Sequence, residues 1–281
     1  MARDLTVVVL SGKGGAGKTL VSVNLAVTAG ASAYIDCDVE EPNGFLYLTP
    51  EAVTKKTVFT TVPVVDAVRC DGCGLCARSC AFHALAVIDR KILVFGDVCH
   101  SCGLCTALCP RQALTERDRE IGSVYEGKHG RMTCLSGEMN VGESSGMPIV
   151  RVLLGQKRSG LVFIDSPPGS GCLVQETLRK ADACLLVAEP SLFGAHDLAL
   201  VHELAKKMGK PCMVVLNKTM EGANPSEQYA KEHGLRIIGR IPYEKRLARL
   251  SGDGLLVAEN PTYRRIFLDV LEHLLKEACN A

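Results

Sequence analysis

The first uninterrupted hydrophobic stretch is Leu5–Leu10, apolar except for Thr6. A run that is apolar on both faces predicts a strand buried at the centre of a parallel sheet. It leads directly into Ser11-Gly12-Lys13-Gly14-Gly15-Ala16-Gly17-Lys18-Thr19 and then into a helix-forming stretch. The far end of the chain has a different period. Over Tyr263–Ala278, Ile266, Leu268, Val270, Leu271, Leu274 and Leu275 recur at helical spacing. Asp269, Glu272 and Glu277 offset the basic residues there, which predicts a helix packed on the core and not one lying on anionic lipid. Shorter apolar runs stand at Val62–Val68 and Lys91–Phe95. Residues 119–150 carry Gly122, Gly127, Gly130, Gly137, Gly142 and Gly146 without helical periodicity, and read as strands with turns or as a connector. His129, Arg131, Cys134 and Glu138 in that stretch read as connector residues.

Composition narrows the setting. The 281 residues are 47% hydrophobic and 22% charged, with a formal net charge of +1. That balance leaves no basic footprint for nucleic acid, and no apolar run reaches membrane-spanning length. The expectation is a cytoplasmic protein acting on neither nucleic acid nor membrane. Fourteen cysteines without a secretory signal argue for a reducing compartment and against a disulfide framework.

Eight of those cysteines carry the clearest chemistry. Cys70, Cys73, Cys76 and Cys80 are spaced C-x2-C-x2-C-x3-C, and Cys99, Cys102, Cys105 and Cys109 repeat the spacing. Two such quartets suit two [4Fe–4S] clusters, each taking three ligands from one quartet and its fourth from the other. Cys109 then completes the set Cys70, Cys73 and Cys76, while Cys80 completes Cys99, Cys102 and Cys105. Structural zinc asks for paired ligands and has no use for the third and fourth cysteine of each quartet. Gly74-Leu75 and Gly103-Leu104 sit inside the loops, and Pro110 follows the second quartet. Residues 60–118 thus resemble bacterial two-cluster ferredoxins, although Ala81 stands where that family usually has proline. The resemblance implies that Val62–Val68 and Lys91–Phe95 supply small strands.

The loop after the first strand fits G-x-x-x-x-G-K-[ST] in a strand-to-helix context, the pattern of a phosphate loop. Its glycines let backbone N–H groups face a β-phosphate. Lys18 reaches the β- and γ-phosphates, and Thr19 offers its hydroxyl to Mg2+. Gly12, Lys13, Gly14, Gly15, Ala16, Gly17, Lys18 and Thr19 are therefore the expected ATP-binding residues.

Lys13 extends this reading. The KGGxGKT form resembles the deviant phosphate loop of the MinD/ParA/Mrp group of ATPases, in which the extra lysine reaches a partner's nucleotide. Tyr34-Ile35-Asp36-Cys37-Asp38 is similar to that family's first switch, which implies that Asp38 orients the attacking water. Leu161–Ile164 with Asp165-Ser166-Pro167-Pro168-Gly169 resembles the Walker B strand and second switch, which makes Asp165 a Mg2+-side carboxylate. Cys184–Ala188 reads as the next core strand. Met213–Leu216 with Asn217-Lys218 resembles the adenine-binding segment, and Ile241-Pro242 the loop that closes over the base.

The expected fold is accordingly α/β: a doubly wound, mostly parallel sheet over residues 1–58 and 147–281, a small inserted α+β ferredoxin domain over 60–118, and a Gly-rich connector over 119–146. The expected function is an ATP-hydrolysing iron–sulfur protein that dimerises with ATP and couples nucleotide state to electron transfer with a donor or acceptor protein. The alternative is an ATP-dependent scaffold or carrier for iron–sulfur or metal-cofactor assembly. The paired C-terminal cysteines of Mrp-type carriers are absent, since Cys184, Cys212 and Cys279 stand apart in sequence. Cys37 reads as a small buried residue. Cys172, after the second switch, is a weaker candidate for a ligand at a dimer interface, and His196-Asp197 reads as the start of a helix.

Overall fold

The computed structural model describes residues 4–156 and 158–280, with side chains through Ala278. The Cys279 side chain therefore lies outside the described residues. In chain order the elements are β1 (Leu5–Leu10), α1 (Lys18–Thr28), β2 (Ala33–Asp36), α2 (Gly44–Leu48), β3 (Glu51–Val65), α3 (Leu75–Arg78), β4 (Leu85–Ile88) and β5 (Lys91–Val94). These are followed by α4 (Leu104–Leu108), β6 (Leu114–His129), β7 (Met132–Met139), α5 (Met147–Leu154), β8 (Leu161–Asp165), α6 (Cys172–Arg179) and β9 (Ala183–Ala188). The chain closes with α7 (Leu192–Lys207), β10 (Cys212–Thr219), α8 (Pro225–Glu232), β11 (Arg236–Pro242), α9 (Lys245–Gly252) and α10 (Pro261–Asn280).

The chain divides into two compact units. The larger holds residues 1–55, 124–138 and 150–281. Its strands run in the order β11-β10-β9-β1-β8-β2-β7, and every pairing along that row is parallel. Helices connect the parallel strands, and β1 lies at the centre because Val7 to Leu10 present no polar side chain to either face. Tyr34, Phe163, Phe267 and Leu274 fill the core beside α1 and α10. The predicted final helix packs inward as expected.

Strand order continues from β7 to β6 and β3. Residues 119–146 are thus largely strand: β6 and β7 are joined by a two-residue turn at Gly130 and Arg131, with Gly130 at φ 57°. A connection that short makes the pair antiparallel. The structure likewise reassigns Val62–Val68. Val62 to Val65 end the long strand β3, and Val68 lies in a turn with its side chain fully exposed.

The smaller unit holds residues 56–123 and 139–149. Its two-stranded sheet is β4 against β5, antiparallel, so Leu85–Ile88 and not Val62–Val68 partners the Lys91 run. The core of this unit is small. Cys76, Leu85 and Leu114 are its buried centre, with Val65, Ile92, Val94, Cys80, Cys105 and Cys109 packed around them. Four cysteines take places there that an ordinary domain of this size gives to aliphatic side chains.

Candidate functional site

Because β1, β2, β8 and β9 are parallel, their carboxyl ends share one edge of the sheet, where an open α/β sheet binds ligands. The loop leaving β1 carries the predicted phosphate-binding residues. Gly17 has φ 93°, and a Cβ there would lie 2.0 Å from the Asn217 amide nitrogen, so no side chain fits. Gly12 is equally confined, with a Cβ position 2.4 Å from the Asp197 carbonyl. Gly14 and Gly15 have open space around them. The loop is tight at its two ends and open at its crown, as a cradle for phosphate oxygens must be.

Lys18 begins α1 and is 6% exposed. Its Nζ donates to Asp165 Oδ1 at 2.8 Å and lies 3.7 Å from Asp38 Oδ2. Burial works to lower the ammonium's pKa, yet the Asp165 and Asp38 charges outweigh it and hold the group protonated. Asp165 is fully buried at the end of β8 and also accepts from the Tyr34 hydroxyl at 3.1 Å. Desolvation, opposed by Lys18 and reinforced by Asp165, raises Asp38 to about 6. Thr19 follows Lys18 on α1, half-buried. The predicted Lys18, Asp38 and Asp165 thus come together, with Thr19 next to Lys18 in the chain. A buried lysine facing two carboxylates fits a nucleotide phosphate with Mg2+, because a bound cation can take over the carboxylates' charge and free the lysine for the phosphate.

Sequence reasoning passed over Asp36. It is fully buried, it accepts from the backbone N–H of Asp38 at 3.1 Å and of Gly44 at 2.8 Å, and it stands in register with Asp165 on β8. Burial, with Asp165 adding to it, raises Asp36 to about 7. These bonds tie the backbone at Asp38 and Gly44 to the end of β2. The switch reading already contained this residue, although no motif marked its burial.

Glu189, just past β9, was also missed. Lys13 Nζ lies 2.5 Å from its Oε1, and Lys218 Nζ lies 3.4 Å from its Oε2. The hydrogen bond with Glu189 raises the Lys13 pKa, and the same contact lowers that of Glu189. Lys218 also donates to the Gly15 carbonyl at 2.7 Å, and Asn217 Nδ2 to the Ala16 carbonyl at 2.8 Å. Asn217, expected at adenine, is therefore bound to the phosphate loop in this structure. Pro242 ends β11 half-buried.

The smaller unit places its eight cysteines around two separate cavities. One is lined by Cys70, Cys73, Cys76 and Cys109, with about 330 Å³ of empty space including its mouth. The other is lined by Cys80, Cys99, Cys102 and Cys105, with about 390 Å³. The backbone repeats as the sequence does. Gly74 at φ 73° opens α3 and Gly103 at φ 70° opens α4. Ala84 N–H donates to Cys80 Sγ at 3.3 Å, and Ala113 N–H to Cys109 Sγ at 3.2 Å. Among the described residues, no three His, Cys, Asp or Glu side chains converge on a single ion. Each cavity is lined by four cysteines, the number of ligands that a [4Fe–4S] cluster takes.

The remaining cysteines lie elsewhere. Cys37 and Cys134 are buried and Cys172 is exposed at the start of α6. Cys184 and Cys212, distant in sequence, are in register on the adjacent strands β9 and β10 and do not stand apart. Asp197 lies within the second turn of α7, which Ser191 caps by accepting from the Gly194 N–H at 2.9 Å. Among the described residues, no helix is long and apolar enough to cross a membrane.

Residues 7–257 match the family described as the CobQ/CobB/MinD/ParA nucleotide binding domain. Two uncharacterised proteins of Methanocaldococcus jannaschii are similar to the chain. One is 30% identical over 229 residues, covering 78% of this chain and 81% of the relative. The other is 29% identical over 280 residues, covering 97% of each. Among solved structures, the septum site-determining protein MinD of Pyrococcus horikoshii, complexed with Mg-ADP, is similar with a TM-score of 0.61. It shares 16% identity and the match covers 98% of this chain and 97% of that one. The cell division ATPase MinD of Pyrococcus furiosus gives a TM-score of 0.59 at 16% identity, over 98% and 99% of the two chains.

Proposed function

The chain belongs to the CobQ/CobB/MinD/ParA family of nucleotide-binding domains, and from that premise we propose an ATP-hydrolysing protein that gates electron transfer. ATP with Mg2+ is the substrate, a homodimer formed with ATP is the working state, and two [4Fe–4S] clusters are the redox groups. When bound, the clusters supply one-electron storage and transfer. Lys18 carries its charge to the β- and γ-phosphates, while Thr19 and Asp165 are the groups for Mg2+. Asp38, ionised above about pH 6, orients water and accepts its proton. Lys13, held by Glu189, is the residue that reaches a partner's nucleotide. In sequence, the chain runs from Asp38 through α2 into β3 and the cysteine unit, so the first switch and the cysteines share one connection.

The observation that carries this reading is the exchange between quartets. Cys109 lines the cavity of the first quartet and Cys80 that of the second. Four thiolates per cavity leave no open position through which a cluster is handed on, which favours electron transfer over a carrier role. Anaerobically purified protein should hold about eight iron atoms per chain. Dithionite-reduced protein should pass electrons to an acceptor faster with ATP than without it. Equal rates would overturn the gating, and iron far below that content would overturn the clusters.

A further inference from the structure

The two cavities are alike in holding four cysteines and differ in the charges near them. At the first, three guanidinium groups grip the ligand loop. Arg78 donates to the Cys73 carbonyl at 3.0 Å, Arg90 to the Asp71 carbonyl at 3.2 Å, and Arg111 to the Asp71 carboxylate at 2.9 Å. Asp71 offsets Arg111 in the lining, so the unbalanced positive charges are Arg78 and Arg90, which hold the loop from outside the lining. At the second, Glu116 is, among the described residues, the only lining side chain with a full charge, and its Oε1 lies 3.3 Å from where a Cβ at Gly103 would stand. Arg119, three residues on in β6, is shared between Asp97 at 3.2 Å and Glu143 at 2.6 Å, so its charge is already neutralised.

Adding an electron makes a cluster one unit more negative, and nearby positive charge favours that change while negative charge opposes it. Resting on the cluster reading above, we infer that the cavity of Cys70, Cys73, Cys76 and Cys109 is the electron's resting place. The cavity of Cys80, Cys99, Cys102 and Cys105 is then the low-potential side of a one-way relay. Arg78, Arg90 and Arg111 set the first and Glu116 the second, and none of them is a ligand. One electron from a single-electron donor oxidises that donor by one unit, enters the module and settles on the arginine side. Only a second electron occupies the Glu116 side.

The test is a dithionite potentiometric titration of the anaerobic full-length protein, read by electron paramagnetic resonance. Two one-electron waves are expected, with the arginine-side cluster occupied at least tenfold more at half reduction, a split of about 59 mV or more. Glu116→Gln should raise the lower wave alone, and Arg111→Gln should lower the upper wave alone. Arg111→Lys, which keeps the charge, should leave both in place. Because Arg111 and Glu116 are exposed, the split of the unmodified protein should also narrow in 1 M salt, where the screening length falls to about 3 Å. Coincident waves, a split indifferent to salt, or Glu116→Gln moving the upper wave would each overturn the inference. Iron far below eight atoms per chain defeats the cluster reading itself, whereas full iron with coincident waves defeats only the polarity.

Discussion

Replacing Lys18 with Met should reveal a second duty of the phosphate-loop lysine, as the counter-charge for the buried Asp36 and Asp165 and the half-buried Asp38. Lys18 Nζ is 2.8 Å from Asp165 and 3.7 Å from Asp38, and Asp36 is fully buried in the same cluster. Removing one partner of a buried pair strands the other charge, at a cost of roughly 3–5 kcal/mol. The sign of the pH dependence follows from the carboxyl groups. In the folded protein Asp36 is raised to about 7 and Asp38 to about 6, whereas an unfolded Asp titrates near 3.9. Between those limits the folded state keeps protons that the unfolded state has lost, so these two groups make stability fall as pH rises from about 4 to about 7. Lys18 lowers both values, so without it both groups move higher and the fall becomes steeper and continues to higher pH. Urea denaturation followed by circular dichroism, at about pH 5.5 and about pH 8, measures this directly. The variant should be about 3–5 kcal/mol less stable at the higher pH and markedly closer to wild type at the lower one. Pairing it with Asp165→Asn should recover part of the loss. An equal deficit at both pH values would refute the argument, as would a deficit below about 1 kcal/mol at the higher pH, the size of an exposed pair.

The remaining predictions concern the nucleotide and the loop. Asp38→Asn should retain ATP binding and lose most turnover, as measured by phosphate release, and hydrolysis at the wild-type rate would remove Asp38 from the mechanism. Lys13→Ala should leave ATP affinity within a few-fold of wild type in equilibrium binding and lower hydrolysis, as a lysine acting on a partner's nucleotide requires. Loss of binding would place its action within its own subunit. Gly17→Ala should cost roughly 1–3 kcal/mol of backbone strain in a thermal melt and weaken ATP binding, because φ 93° and the Asn217 amide 2.0 Å away leave no room for a methyl group.

The legible parts of this fold were those whose burial is complete. β1 and β9 are apolar on both faces and announce themselves, and the phosphate loop is a contiguous motif after a strand. β3 and β6 were not announced. Glu51 to Lys56 are all exposed and β6 begins with Leu-Thr-Glu-Arg-Asp-Arg-Glu, so neither strand has an uninterrupted apolar face. The available signal was the β-branched content of β3, with Val53, Thr54, Thr57, Val58, Thr60, Thr61 and Val62. At the site, the phosphate-loop spacing located Lys18, and the resemblance to the family's switch segments pointed to Asp38 and Asp165. Glu189 escaped because its partners, Lys13 and Lys218, meet it only through strand order. The pairing of Cys184 with Cys212 has the same cause. Register between β9 and β10 cannot be read from a linear distance.

The sheet order also fixes a timetable for synthesis. β1, which carries the phosphate loop, has β8 and β9 as its neighbours, and β2 has β8 and β7. All of these emerge from the ribosome after both cysteine quartets. The first fifty residues, including the most hydrophobic strand, therefore wait without a strand partner while the cysteine unit, whose cavities close over local contacts, is completed. Pairings of long sequence separation form late and slowly. Completion of the cysteine unit thus precedes assembly of the nucleotide-binding sheet, and a chain delayed there meets that sheet with the intervening unit unfinished.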